Sequence, residues 1–236
     1  YYIFKKIRKE WKTKKDVTAV IEAPPSKSYT QRALIVAALA DGKSTIKNPL
    51  FSGDTYYMIS ALKEFGVKIE KNGKDLVVFG AGGKLKQPKN KIFVGNAGTT
   101  MRFIAALASL CEGNTMITGD KRMQQRPIKD LLDALRQLGV KNESDNGFPP
   151  VKIYGGSFNG GNVSLNGNTS SQYLSSILMC APYAKKEVII DIIGDLASKP
   201  YVGITMDVMK NFGVGVNNSN YKRFKIKNKT KYKSSN

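Results

Sequence analysis

Three short stretches of the chain place anion-binding side chains where helices are expected to begin. PPSKSYTQRALIVAALADG, residues 24–42, sets Lys27, Ser28 and Arg32 at the head of an apolar run. GNAGTTMR, residues 95–102, carries Asn96, Gly98, Thr99 and Arg102, and GNTSSQY, residues 167–173, carries Ser170, Ser171 and Gln172. A helix N-terminus offers unpaired N–H groups and about half a positive elementary charge. Ser26, Thr99 and Ser170 stand where N-caps belong. A cap needs neither Lys nor Arg, so three such coincidences point to the binding of a multiply anionic small molecule. There is no histidine in the sequence. That removes histidine-based triads and general bases, leaving Lys, Arg, Asp, Glu, Ser and backbone groups for any chemistry.

The elements that must position these residues repeat along the chain. ISALKEFGVKIE, LLDALRQLGVKNE and TMDVMKNFGVGV each read as an amphipathic helix, a glycine C-cap and a β-branched residue opening a strand. The glycines are Gly66, Gly139 and Gly213, 73 and 74 residues apart. Upstream, QRALIVAALADG, MRFIAALASLCEG and SQYLSSILMCAPYA are apolar and rich in small residues, as buried helices are. DLVVFG, KIFVG, VKIYG and EVIID supply strand-like runs between them. The expected fold is α/β: three units of strand, buried helix, strand, outer helix and strands, arranged with pseudo-threefold symmetry. Equivalent buried helices in such a domain run roughly parallel, so their polar starts should meet on one face.

Composition narrows the class further. The 236 residues are 41% hydrophobic and 24% charged, as in a globular protein, and the longest clean apolar stretch is Ala33–Ala40, too short to span a membrane. The formal charge is +20, but residues 1–15 hold +6 of it and residues 216–236 hold +7. Charge gathered at the ends reads as solvated tails rather than a nucleic-acid-reading face. The last stretch, FKIKNKTKYK, alternates like a strand with one lysine face. Cys111 and Cys180 lie in apolar, helical contexts and are expected to be buried free thiols of a reducing, cytoplasmic setting.

Five blocks in order, PPSKSYTQRALIVAALADG, GNAGTTMRF, GDKRMQQRPIKDLLDAL, SSQYLSSILMCAP and SKPYVGITMDVMKNFGV, resemble the 3-phosphoshikimate 1-carboxyvinyltransferase (EPSP synthase) family. The resemblance runs from about Ile21 to Ile226. It implies an enolpyruvyltransferase-like domain of three βαβαββ repeats and transfer of the enolpyruvyl group of phosphoenolpyruvate to the 5-hydroxyl of shikimate 3-phosphate, a step of aromatic amino-acid biosynthesis, without metal or cofactor. It also implies roles. Lys27 contacts both substrates and is the one catalytic residue expected here. Ser28, Arg32, Ser170, Ser171, Ser198 and Tyr201 bind shikimate 3-phosphate. Gln172 reaches phosphoenolpyruvate, as do Arg126, with Arg122 as its neighbour, and the backbone at Gly98, which the substrate-binding residues Asn96 and Thr99 flank.

Family members are nearly twice this length, and their second domain supplies the proton-transfer residues. The resemblance therefore assigns residues 1–20 to that other domain, residues 21–226 to the three-repeat domain and residues 227–236 to a basic crossover. The chain alone is expected to hold about half of an active site and to turn over nothing. The partners expected are the two small substrates and the rest of the family's architecture, with no specific nucleic acid and no membrane. Three rival readings stand beside it. The sister transferase acting on UDP-N-acetylglucosamine typically has a reactive cysteine in the DKRMQQRP loop, and this loop has none. RNA 3'-terminal phosphate cyclases use a catalytic histidine. A non-catalytic binding domain of the same fold would keep the same ligand-facing motifs.

Overall fold

The computed structural model describes residues 24–235. The basic segment 1–20 lies outside them, as does residue 236. In chain order the elements are α1 (Lys27–Leu39), β1 (Asp41–Ile46), α2 (Gly53–Glu64), β2 (Lys68–Asn72) and β3 (Asp75–Ala81). Then come β4 (Ile92–Phe93), α3 (Gly98–Ala108), β5 (Asn114–Thr118), α4 (Lys129–Gln137), β6 (Asn142–Asp145) and β7 (Phe148–Tyr154). The last set is β8 (Gly161–Asn166), α5 (Ser171–Cys180), β9 (Val188–Ile193), α6 (Lys199–Asn211), β10 (Asn217–Ser219) and β11 (Arg223–Ile226).

Three sheets carry one topology. The second and third have strand orders β4-β5-β7-β6 and β8-β9-β11-β10, each with a parallel first pair and antiparallel pairs after it. The first is β1-β3-β2, the same order without an opening strand among the described residues. A βαβαββ unit therefore occurs twice in full, and the described residues hold the αβαββ part of a third. KIFVG, read as a full strand, contributes only the two residues of β4.

The buried helices of the units are α1, α3 and α5. From Leu34 to Ala40, from Phe103 to Ala108 and from Leu174 to Ala181 nearly every side chain is excluded from solvent. Their small residues let backbones come close, and glycines set the spacing. A Cβ on Gly80, in β3, would lie 2.2 and 2.5 Å from the carbonyl oxygens of Ala40 and Ala37 at the end of α1. One on Gly155, just after β7, would meet the carbonyls of Ala108, at the end of α3, and Cys111, just beyond it, in the same way. Two repeats thus use one device: a glycine that lets the fourth strand close against the C-terminal end of the buried helix.

The outer helices end alike. Gly66, Gly139 and Gly213 have φ of 83°, 90° and 85°. Each donates to the carbonyl three residues back, and the following valine donates to the carbonyl five residues back. This is the paired Schellman arrangement, left-handed at the glycine.

Two expectations change. FKIKNKTKYK does not run on as a strand: β11 stops at Ile226 with Phe224 and Ile226 buried, and the chain turns back with Lys229 at φ 62°. Asn228 and Thr230, polar where the alternation calls for apolar residues, end the pattern. Tyr232 is then buried, its hydroxyl donating to the Met179 carbonyl at 3.0 Å, and Lys233 pairs in parallel with Asp41 of β1. Cys111, expected in a helix, lies in the turn beyond α3. Both cysteines are buried free thiols, with burial pushing both upward in pKa.

Replacing Gly80 or Gly155 by alanine presses a methyl group onto backbone carbonyls, which cannot swing aside as a side chain can. Overpacking of this kind costs about 1–3 kcal/mol, or a fall in unfolding midpoint of roughly 2–4 °C per kcal/mol for a domain of this size. Thermal unfolding of each variant measures it; a midpoint unchanged in both would show that the strand has room the structure denies.

A cleft at three helix N-termini

A cleft of about 350 Å³ opens where the buried helices begin. Lys27, Ser28, Gln31 and Arg32 come from α1, Thr99 from α3, and Thr169, Ser170, Ser171 and Gln172 from the start of α5; Ala197, Ser198 and Tyr201 add the entry to α6. Nine residues singled out in the sequence therefore share one cavity wall.

The helix starts differ in how they are finished. Ser26 caps α1, its hydroxyl accepting from Tyr29 N–H at 3.4 Å, and Ser170 caps α5, accepting from Gln172 N–H at 3.2 Å. Thr99 does not cap α3. The N-cap there is Ala97, with no side-chain hydrogen bond, and Thr99 sits inside the first turn. The α3 start thus keeps its backbone donors open for an anion. Ser198, which heads α6, is held in a left-handed conformation (φ 56°, ψ 44°) and makes no capping bond. Such a conformation in a non-glycine residue costs of order 1–3 kcal/mol and is tolerated where the surroundings impose it.

Asn96, Gly98 and Arg126 stand outside this wall and form a second group against it. Arg126 Nη1 donates to Asn96 Oδ1 at 3.4 Å and to its carbonyl at 3.3 Å. A Cβ on Gly98 would lie 2.6 and 2.7 Å from the Arg126 terminal nitrogens and 2.8 Å from Arg102 Nη1. Glycine is what allows the two guanidinium groups over the α3 start. Arg102 Nη1 in turn donates to Gln172 Oε1 at 2.8 Å, joining this group to the main cleft. Burial lowers the Arg126 pKa, and the neighbouring cations Arg102 and Arg122 lower it further. Crowded like charges of this kind are relieved by a bound anion.

Two predicted residues sit differently from their sequence reading. Arg32 is not an open hand at the helix head but is buried in the floor, and burial, partly offset by Tyr201, lowers its pKa to about 10, so it stays charged at neutral pH. Lys27 is half-exposed and donates to Asp54 Oδ2 at 3.0 Å. Asp54 escaped the sequence reading because an acid in the first turn of an outer helix looks like ordinary support for the helix dipole. Gln31 escaped too: it is fully buried, accepts from Thr100 Oγ1 at 3.3 Å, and its amide nitrogen has no partner. One turn after Lys27 on an apolar helix, it reads as a core polar residue.

The sequence model of EPSP synthase (3-phosphoshikimate 1-carboxyvinyltransferase) matches residues 11–236. The chain belongs to the EPSP synthase family. It is 45% identical over 207 residues to the 3-phosphoshikimate 1-carboxyvinyltransferase of Methanothermobacter thermautotrophicus, covering 86% of this chain and 48% of that protein. The Shewanella pealeana protein of the same name is 45% identical over 225 residues, 93% of this chain and 53% of the relative. A solved EPSP synthase from Acinetobacter baumannii superposes with a TM-score of 0.82 at 25% identity, covering 92% of this chain and 48% of that one. The chain spans about half the length of these EPSP synthase relatives. The pseudo-threefold α/β fold read from the repeats is thus the fold of the family.

Gly98→Ala is expected to leave the fold intact and to displace the Arg102 and Arg126 side chains by the width of a methyl group. Shifted guanidinium N–H signals of both arginines in a ¹⁵N-labelled sample check it. Unmoved signals would mean that the Cβ finds space the structure does not show.

Proposed function

We propose that this chain forms the shikimate 3-phosphate floor and one wall of the phosphoenolpyruvate site of an enolpyruvyltransferase in aromatic amino-acid biosynthesis. The observation that carries this reading is the meeting of three helix N-termini, Lys27 and Arg32 in one cleft, continuous through Arg102 and Gln172 with the Gly98–Arg126 group. Both substrates are anionic, and both parts of the cleft are built from donors and cations.

In the reaction, the 5-hydroxyl of shikimate 3-phosphate gives up its proton as its oxygen bonds to C2 of phosphoenolpyruvate, the C2–C3 π bond breaks and the methylene carbon gains a proton. The tetrahedral adduct then loses inorganic phosphate and one methyl proton to give the vinyl ether. Ser170, Ser171 and the α5 N–H groups hold the sugar phosphate, with Ser28, Arg32, Ser198 and Tyr201 around the ring. The open α3 N-terminus at Gly98 and Thr99, with Asn96 and Arg126, receives phosphoenolpyruvate. Gln172 stands between the two sites. Lys27 reaches both, and Asp54 holds its ammonium in place until an anion competes for it. Preorganised donors of this sort stabilise the charge developing on phosphate without reorganising in the reaction.

The groups that add and remove protons around the reacting carbon are assigned to the half of the family's length that this chain does not cover. Two buried reduced thiols suit the cytoplasmic setting in which we place the reaction.

Calorimetric titration of the chain with shikimate 3-phosphate, with inorganic phosphate alongside, tests the floor. Saturable binding tighter than phosphate is expected, weakened about tenfold or more by Ser171→Ala, the range for losing one hydrogen bond to a charged group. A folded chain that binds the sugar phosphate no better than phosphate would overturn the reading. The 236-residue polypeptide alone is expected to show no enolpyruvyl transfer when assayed for phosphate release, and measurable specific turnover would sink that part of it.

A further inference from the structure

Arg32 has the largest of the fully buried side chains, and none of the ion pairs among the described residues includes it. A buried cation without a carboxylate is costly unless its donors are met in other ways. Three of its five N–H groups are met. Nε donates to Thr205 Oγ1 at 2.7 Å, Nη1 to the Ser28 carbonyl at 3.0 Å, and Nη2 to Ser175 Oγ at 3.3 Å. The two hydroxyl oxygens are 2.8 Å apart, and the guanidinium lies 5.3 Å from the centre of the Phe103 ring. Both hydroxyl residues are fully buried.

The partners come from four helices: Ser28 from α1 itself, Phe103 from α3, Ser175 from α5 and Thr205 from α6. Hydroxyls can accept from a cation without cancelling its charge, whereas a carboxylate here would neutralise Arg32 and compete with any arriving anion. The arrangement fixes the plane of the guanidinium, keeps its charge, and leaves one N–H on each terminal nitrogen without a protein partner among the described residues. Arg32 also lines the cleft.

We infer that Thr205 and Ser175 are positioning residues that pin the Arg32 guanidinium so that its two remaining N–H groups stand as a planar fork for an oxyanion of the ligand in the cleft. This rests on the function proposed for the cleft. The pair acts through Arg32 and does not touch the ligand. A planar fork held at three points discriminates by direction, so its loss should fall on a ligand that presents several anionic groups in fixed geometry. Inorganic phosphate, which the α5 N-terminus alone can hold, should be nearly indifferent.

The test uses the 236-residue chain with Thr205→Val, which keeps the shape and removes the hydroxyl, Thr205→Ser, which restores it, and Ser175→Ala. Each is titrated with shikimate 3-phosphate and with inorganic phosphate, and the Arg32 Nε–H signal is followed by ¹⁵N NMR. Thr205→Val is expected to weaken the sugar phosphate about tenfold while phosphate changes less than about twofold, and Thr205→Ser should return close to the parent. The Arg32 signal should be slow to exchange in the parent and the serine variant and lost in the valine variant. Parent-like binding by Thr205→Val, equal losses for both ligands, or no rescue by serine would overturn the inference. If the parent chain itself fails to prefer shikimate 3-phosphate, the functional reading falls and the pinning is judged on the Arg32 signal alone: loss in valine with recovery in serine supports it, and one signal common to all three defeats it. Should Thr205→Val not fold, Ser175→Ala carries the same comparison.

Discussion

Parallel burial of three helices in one core forces their N-terminal charge to one place. Each start leaves backbone donors that no residue of its own helix can satisfy. In most proteins a side-chain cap finishes the job, as Ser26 and Ser170 do here. At α3 the cap is missing, at α6 the capping serine is turned into a left-handed conformation, and at α1 the first turn carries a lysine and, one turn on, a buried arginine. The domain concentrates positive potential and then leaves part of it unanswered. The apolar faces, the glycine contacts at the far ends of the helices and the threefold order of the sheets all serve to keep these starts together.

Backbone symmetry and chemical asymmetry coexist in this arrangement. The three units share strand order and helix ends, yet each contributes different side chains to the cleft: Lys27 and Arg32 from the first, Thr99 from the second, Ser171 and Gln172 from the third. A symmetric frame delivers three equivalent dipoles, and the side chains then divide the space into the main cleft and the Gly98–Arg126 group beside it. The Arg102–Gln172 hydrogen bond marks the seam between the two parts.

The frame was largely legible in the sequence because it depends on local rules. Gly66, Gly139 and Gly213 announce helix ends through backbone conformation alone, and the apolar stretches after each polar start could pack only inward. The family resemblance supplied Arg126 and gave roles to Lys27, Gly98 and Ser171, whose types suggest anion binding but whose meeting depends on tertiary structure. Relations across the chain were not legible. Asp54 finds Lys27 from 27 residues away, and Thr205 finds Arg32 from 173 residues away. Neither has a spacing signature, and each alone passes for a helix-start acid or a core threonine. The cap expected at Thr99 failed for a local reason: the helix starts two residues earlier than that cap would place it, at Gly98, so the threonine is already inside it. The alternation of FKIKNKTKYK failed because period two says nothing about where the apolar partners run out.

The return of residues 232–235 to the first sheet gives the domain a property that repeat proteins seldom have. Ser234 N–H donates to the Asp41 carbonyl, Thr45 N–H to that of Ser235, and Tyr232 is sunk against α5, so the end of the third unit is stitched to the first. An open row of repeats frays from its terminal members, because each contacts only its neighbours. A ring with its ends joined has no terminal member. Each unit leans on two others, and the loss of one releases both of its seams. Such a domain unfolds as a single block, and the three helix starts that make the cleft persist or vanish together.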